Sequence, residues 1–225
     1  MTLTQNIIES ICWLNEQYRE LNGQEKNDEN RVQLGRSFKI ADKFQFDLAS
    51  RISNSLQADK IIVDYPTSCT NRTQPLYPDI QLIKKGKLKA IVEIKIDLGF
   101  LRLNEFGITY DKPRKEYAFG AVQNAFKQNY EDFLSSDEIW FRKKGNRERV
   151  VLRKNDSLKK IFIVVSRKNH TRRGPYFEAA MEDAGFNLLF LLDDIHPNHH
   201  HDLSPEIKSR IENKEKEIKR LFKGL

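Results

Sequence analysis

Two apolar runs in the C-terminal half limit what this chain can fold into. Residues 159–166 (KKIFIVVS) form a nearly unbroken stretch of Ile, Phe and Val, and Asn187–Leu192 (NLLFLL) repeats the pattern. A strand that alternates apolar and polar residues covers one side of a core. A strand that is apolar at almost every position needs cover on both faces, the habit of parallel sheets. A helix is predicted between the two runs, over 174–184. Strands of this kind separated by helices imply an α/β fold with helices on both sides of the sheet. The 225 residues suffice for one such domain with a few appended elements.

The rest of the chain is read from its periodicity. Ile7, Ile11, Leu14, Tyr18 and Leu21 mark an amphipathic helix over 4–22, with Gly23 placed to stop it. Residues 24–35 are polar and read as a linker. A second helix over 38–56 has Ala41, Phe44, Leu48, Ile52 and Leu56 on one stripe. Strands are expected at 60–65, 79–84 and 88–97, with a polar loop at 68–77. The turn Lys85-Gly86-Lys87 joins the last two strands into a hairpin. A long helix is predicted over 115–135, carrying Ala118, Ala121, Val122, Ala125, Phe126, Phe133 and Leu134. A basic hairpin follows with Gly145-Asn146 at its turn, and a His-rich loop covers 196–203. Ser204 is placed to N-cap a final helix with Pro205 at its first position and Ile207, Ile211, Ile218 and Leu221 on one side. The predicted architecture is a three-layer core, a mixed central β-sheet flanked by helices, with extra N- and C-terminal helices. It divides into an N-terminal helix and linker (1–35), a core domain (36–195) and a C-terminal loop and helix (196–225).

Charge narrows the partners. The chain carries 39 Lys and Arg against 32 Asp and Glu, a net charge of +7. Such a balance favours a polyanion, because cations that meet phosphates release condensed counterions. Residues 140–160 hold nine Lys or Arg and two acids. Within it, Arg142, Lys143, Lys144, Arg147 and Arg149 are candidate DNA-backbone contacts, the alternative being a solubilising surface loop. Lys112, Arg114 and Lys115 form a second candidate group, and Arg167, Lys168, Arg172 and Arg173 a third. No apolar run approaches the roughly 20 residues of a membrane span. The start lacks the features of a signal peptide, and two cysteines, Cys12 and Cys69, make no disulfide framework. A reduced, cytoplasmic protein is expected.

The chemistry concentrates in 77–97, YPDIQLIKKGKLKAIVEIKID. Glu93 and Lys95 are two apart on a predicted strand and so share a face, while Val92, Ile94 and Ile96 take the other. The hairpin brings Asp79 close to Glu93. Two carboxylates supply hard oxygen ligands for Mg²⁺. Such an ion polarises a phosphate and acidifies a bound water, and a neighbouring lysine can orient or deprotonate that water or stabilise charge on the phosphorane. An ordinary cross-strand salt bridge on a surface hairpin is the other reading of the same trio. Glu-x-Lys also occurs at Glu206, Glu212 and Glu217, but those lie in the charged C-terminal helix, whereas Glu93 sits among Ile and Val.

Pro78-Asp79, thirteen residues, then Glu93-Ile94-Lys95 resembles the PD-(D/E)XK nuclease superfamily, which includes restriction endonucleases and Holliday-junction resolvases. The predicted order of helix, three strands, helix and strand is similar to that superfamily's core. The resemblance implies a metal-dependent DNA endonuclease of restriction-endonuclease-like fold. It implies that Asp79 and Glu93 bind Mg²⁺, or Mn²⁺ in its place, with the Ile94 carbonyl as a further ligand and Lys95 acting on the water. A homodimer would serve to cut both strands. The alternative is a non-catalytic nucleic-acid-binding protein of the same fold; a third is a scaffold whose basic face serves another acidic partner.

Many members also place an acid on the first core helix. Asp42 and Asp47 are the two candidates, on opposite edges of the apolar stripe. The Gln-x-x-x-Tyr signature of RecB-like members is absent, since Gln123 and Tyr130 stand seven apart. His196, His199, His200 and His201 with Asp202 resemble a metal-binding tract but lack the spacing of a structural zinc site. A flexible exposed loop is expected there.

Overall fold

The hairpin signal at 79–97 matures into the centre of the sheet. A computed structural model of the chain describes residues 1–27, 38–98, 101–120, 123–142, 149–168, 174–198 and 201–225. Strands β1 (Lys60–Val63), β3 (Ile80–Lys84) and β4 (Lys87–Lys95) form an antiparallel meander. Lys84 pairs with Lys87, so the connecting turn is Lys85-Gly86, at φ +52° and +66°. Two successive left-handed residues make the tight turn whose twist suits a hairpin, and Gly86 takes the second at no steric cost. β8 (Arg149–Ser166) lies parallel to β4 on its far side, and β9 (Asn187–Leu192) lies parallel to β8. The first part of β8 pairs antiparallel with β7 (Ile139–Arg142), against which the two-residue β2 (Ser68–Cys69) is laid. The result is a mixed α/β protein with a mixed central sheet and, among the described residues, six α-helices.

The doubly apolar strands are covered as their composition requires. On one face Ala90, Val92, Ile94, Ile161, Ile163 and Leu189 pack with α1 (Leu3–Asn27), α2 (Phe38–Leu56), α5 (Ser204–Asn213) and α6 (Glu215–Phe222). On the other, Ile91, Phe162 and Val164 pack with α3 (Ala125–Ser135) and α4 (Gly174–Asp183) in an aromatic cluster that includes Phe106, Phe126 and Phe186. The apolar sides of the terminal helices are thus used within the chain: Ile7, Ile11, Leu14, Ile207, Ile211 and Ile218 are fully buried in one cluster with Phe44 and Leu48 of α2. Asn15 of α1 pins the C-terminal loop, donating to the Pro197 carbonyl at 2.8 Å and accepting from Leu203 N–H at 3.0 Å. Among the described residues no helix is long and apolar enough to cross a membrane.

Several expectations need correction. The helix predicted over 115–135 is α3 alone. Ahead of it, β5 (Ile108–Asp111) and β6 (Glu116–Phe119) form a separate two-stranded sheet. Tyr117 and Phe119 gain cross-strand partners there, which outweighs the weak helical spacing of Ala118. Gly120 closes this hairpin where the chain passes Thr109, and a Cβ there would come within 2.5 Å of the Thr109 methyl. Gly23 does not end α1, which continues to Asn27. The two strands expected across 149–166 are one 18-residue strand. The last helix breaks at Lys214, and Ser204 is its first residue, not its N-cap. The Gly145-Asn146 turn and most of the predicted linker lie outside the described residues.

A row of lysines closes one end of the molecule. Lys84 donates to the Leu56 carbonyl of α2 at 3.0 Å. Lys154 donates to Leu134 and Ser136 at the end of α3, both at 2.6 Å. Lys160 donates to Ala184 just after α4, and Lys159 to Leu221 and Lys223 at the end of α6, both at 2.7 Å. The last carbonyls of a helix have no intrahelical partner, so each lysine satisfies acceptors that burial would otherwise orphan. Much of the basic stretch at 149–160 is therefore occupied inside the fold.

Candidate active site

Strand alternation places the trio. On β4, Val92 and Ile94 point into the α1–α2 core, while Glu93 and Lys95 point to the α3 face. Asp79 stands just ahead of β3, whose first pair is Ile80 with Val92. Two residues beyond that pair the ladder would set residue 78 opposite Ile94, but Pro78 has no N–H to donate to the Ile94 carbonyl, and the ladder stops at Ile80. The Ile94 N–H donates instead to the Asp79 side chain, whose Oδ2 accepts it at 2.6 Å and the Lys95 ammonium at 3.1 Å. N–H and C=O of one strand residue project to the same side, so the Ile94 carbonyl also faces the Asp79 side. Lys95 Nζ reaches Glu93 Oε2 at 3.5 Å and so bridges both carboxylates. Asp79 and Glu93 are buried, and Lys95 keeps partial access to solvent.

A fourth group completes the site. Tyr130 of α3, buried between Phe126 and Phe186, donates its hydroxyl to Glu93 Oε1. Burial, then the neighbouring charge of Asp79, pushes the Glu93 carboxyl up from its ordinary 4.5 to about 8, although Lys95 and Tyr130 act the other way. Burial would lower the Lys95 ammonium, but Asp79 and Glu93 outweigh it and hold the proton on more firmly than usual. Burial and Glu93 also raise the Tyr130 phenol, which stays a donor. The sequence named Tyr130 only as part of an absent motif; its role depends on a contact between residues 37 apart, which no local pattern signals.

The two helix acids separate. Asp47 is engaged by Ser10 at 2.6 Å and by Arg51 at 2.9 Å, on the α1 side. Asp42 is exposed, and its charge reaches Asp64, whose carboxyl is raised by burial first and then by Asp79 and Asp42. Asp64 is itself tied to the site, donating its N–H to the Asp79 carbonyl at 3.1 Å. The structure thus brings Asp64, Asp79, Glu93 and Lys95 together, with the charge of Asp42 felt at Asp64, while Asp47 is engaged by Ser10 and Arg51.

The donor set fits Mg²⁺. Among the described residues no three His, Cys, Asp or Glu side chains converge as a metal cage. Mg²⁺ does not require one, since it is commonly held by one or two carboxylates with water and substrate phosphate completing the shell. Two crowded carboxylates and a peptide carbonyl on the same side match that need. Among the described residues the His-rich tract supplies no such set: His196 is packed inward with Nε2 at 3.3 Å from Asp97, His201 is exposed, and His199 and His200 lie outside the described residues.

The candidate DNA contacts divide. Lys112, Arg114 and Lys115 lie exposed on the β5–β6 turn, with Arg114 3.7 Å from Asp111. Arg142 is exposed at the end of β7. Arg149 lies over the Trp140 ring at 3.8 Å and 3.6 Å from Glu138. Lys143, Lys144 and Arg147 lie outside the described residues, as do Arg172 and Arg173. Arg167 is paired with Glu178. Comparison of the chain with protein-family models, with curated proteins and with solved structures finds no match in any of the three.

Proposed function

We propose that the chain is a Mg²⁺-dependent endonuclease that hydrolyses phosphodiester bonds in DNA, with a restriction-endonuclease-like core. The observation that carries this reading is the edge where Asp79, Glu93 and Lys95 meet on one face of the central hairpin, with the Ile94 peptide turned toward Asp79. The order of α2, the β1–β3–β4 meander, α3 and then β8 parallel to β4 supports it. When bound, Mg²⁺, or Mn²⁺ in its place, would polarise the scissile phosphate and acidify an attacking water. Asp79 and Glu93 would hold the ion, joined by the Ile94 carbonyl. Lys95, bridging the two carboxylates, presents positive charge where the pentacoordinate phosphate gains negative charge. Tyr130 fixes the Glu93 carboxylate in rotation. Asp42, nearest of the helix acids, is the further candidate ligand. Exposed Lys112, Arg114, Lys115, Arg142 and Arg149 would meet the DNA backbone.

The test is incubation of the protein with plasmid, linear and branched DNA, with Mg²⁺ and with EDTA. Cleavage that needs the ion, and that disappears in Glu93→Ala and Lys95→Ala with melting preserved, is the expected result. Full cleavage by either variant overturns the assignment. Binding with no cleavage by the unaltered protein moves the reading to a nucleic-acid-binding protein that keeps the fold.

A further inference from the structure

The β5–β6 sheet carries aromatic rings that the catalytic reading leaves unused. Its register pairs Tyr110 with Tyr117 and Ile108 with Phe119, so these four side chains share one face. The Tyr110 and Tyr117 rings lie 4.8 Å apart. Tyr176 of α4 extends the row, 6.0 Å from Tyr117 and 5.8 Å from Phe119. Burial of a ring is worth more than that of most side chains, yet Tyr110 is 41% exposed and Phe119 56%. The turn between the strands holds Lys112, Arg114 and Lys115 against Asp111 and Glu116, all exposed.

The row stands on the side of the sheet that the candidate site faces. Phe106, just ahead of the hairpin, stacks on Phe126 at 4.9 Å, and Phe126 lies 5.0 Å from Tyr130, the donor to Glu93. A continuous run of ring contacts therefore links the base of the hairpin to the carboxylate.

We propose that the β5–β6 hairpin with Tyr176 is a stacking platform for unpaired nucleotides, which makes the substrate class DNA with a single-stranded or unpaired stretch beside the cut. The inference rests on the nuclease reading for the cut and on the hairpin alone for the binding. Every base has a π-face, so half-exposed rings hold unpaired bases without regard to sequence while neighbouring cations follow the phosphates. An intact duplex shows only base edges in its grooves and gives such rings nothing to stack on. The occupant is a nucleic acid rather than an apolar protein segment because the rings lie beside a turn with three cations and two acids, on a chain of net charge +7.

The experiment measures affinity by fluorescence anisotropy, in EDTA so that nothing is cut, for a short single strand, a duplex of the same sequence and a fork. The full chain is compared with Tyr110→Ala/Phe119→Ala. A second variant, Tyr110→Leu/Phe119→Leu, keeps apolar bulk and removes only the ring faces. Each double variant is expected to bind the single strand and the fork roughly tenfold or more weakly and the duplex within about twofold of the unaltered protein. Lys112→Ala/Arg114→Ala/Lys115→Ala is expected to weaken binding to all three DNAs and to flatten the salt dependence. Equal weakening on every DNA by the leucine variant, or no weakening on any, overturns the platform and leaves the nuclease reading standing. Absence of DNA binding by the unaltered protein overturns the platform, and the nuclease reading falls with it only if Mg²⁺-dependent cleavage is absent as well. Mg²⁺-dependent cutting of intact duplex, with no preference for the fork, overturns the substrate class alone.

Discussion

The hydroxyl of Tyr130 on α3 donates to Oε1 of Glu93 on β4 and ties the candidate site to the helix layer that covers it. A carboxyl with only 6% of its surface exposed needs such a partner, because burial without one leaves its oxygen unsatisfied. Tyr130→Phe keeps the ring among its aromatic neighbours and removes only the donor. The variant is expected to lose about 1–2 kcal/mol of stability in urea unfolding at neutral pH. Stability equal to that of the unaltered protein would show that the hydroxyl does not support the carboxylate.

Metal-free stability should depend on pH with a definite sign. The Glu93 carboxyl is raised from 4.5 to about 8 in the fold, by burial first and Asp79 second. The folded state therefore keeps its proton where the unfolded chain has lost it. The associated stability is fully present below about pH 4.5 and is lost as pH rises through about 8, by an amount on the order of a few kcal/mol. Denaturant midpoints in EDTA across this window should fall with pH, and Glu93→Gln should flatten the slope. An unchanged slope in Glu93→Gln counts against the assignment.

Mg²⁺ should stabilise the protein through the same residues. An ion that binds only the folded chain adds about 2.7 kcal/mol at a hundred times its dissociation constant, which for a chain of this size raises melting by roughly 5–10 °C. Asp79→Asn should abolish the rise. A rise that survives in Asp79→Asn places the ion elsewhere.

Asp42 and Asp47 should part company. Asp47→Ala removes the acceptor of Ser10 and Arg51, a half-exposed network worth about 1 kcal/mol, and should lower melting by a few degrees while sparing cleavage. Asp42→Ala should leave melting unchanged and slow cleavage. Equal cleavage rates in the two variants would remove Asp42 from the site.

What the sequence could show follows from where each signal is stored. The stripe Phe44–Leu48–Ile52 placed α2 at residues 38–56, and Gly86 with the flanking alternation placed the β3–β4 hairpin, because a few neighbouring residues decide each. Glu93 and Lys95 were legible for the same reason. The β5–β6 hairpin was not: Glu116–Phe119 suits a helix or a strand about equally, and only its pairing with Ile108–Asp111 decides. Neither Tyr130 nor the choice between Asp42 and Asp47 was legible, since each depends on which distant side chains the sheet brings near.

Lys154 tests how the basic stretch is used. Lys154→Met keeps the stem and loses two hydrogen bonds to the end of α3, for an expected loss of about 1–3 kcal/mol with DNA affinity unaltered. A fall in DNA affinity without loss of stability would place Lys154 on the binding surface.

The lysine-closed end has an electrostatic counterpart across the sheet. Lys84 ends β3 on the side remote from Asp79, Lys160 lies on β8 one residue before its pairing with β9 begins, and the C-termini of α2 and α4 meet these lysines, while α2 carries Asp42 in its first turns toward the opposite edge. A helix bears roughly half a positive charge at its N-terminus and half a negative one at its C-terminus. The ammonium groups offset the negative poles, and the positive poles lie toward the carboxylate side. The backbone therefore supplies part of the potential that would draw a phosphate to an edge crowded with acids, and raised salt should weaken that part less than it weakens the exposed arginines.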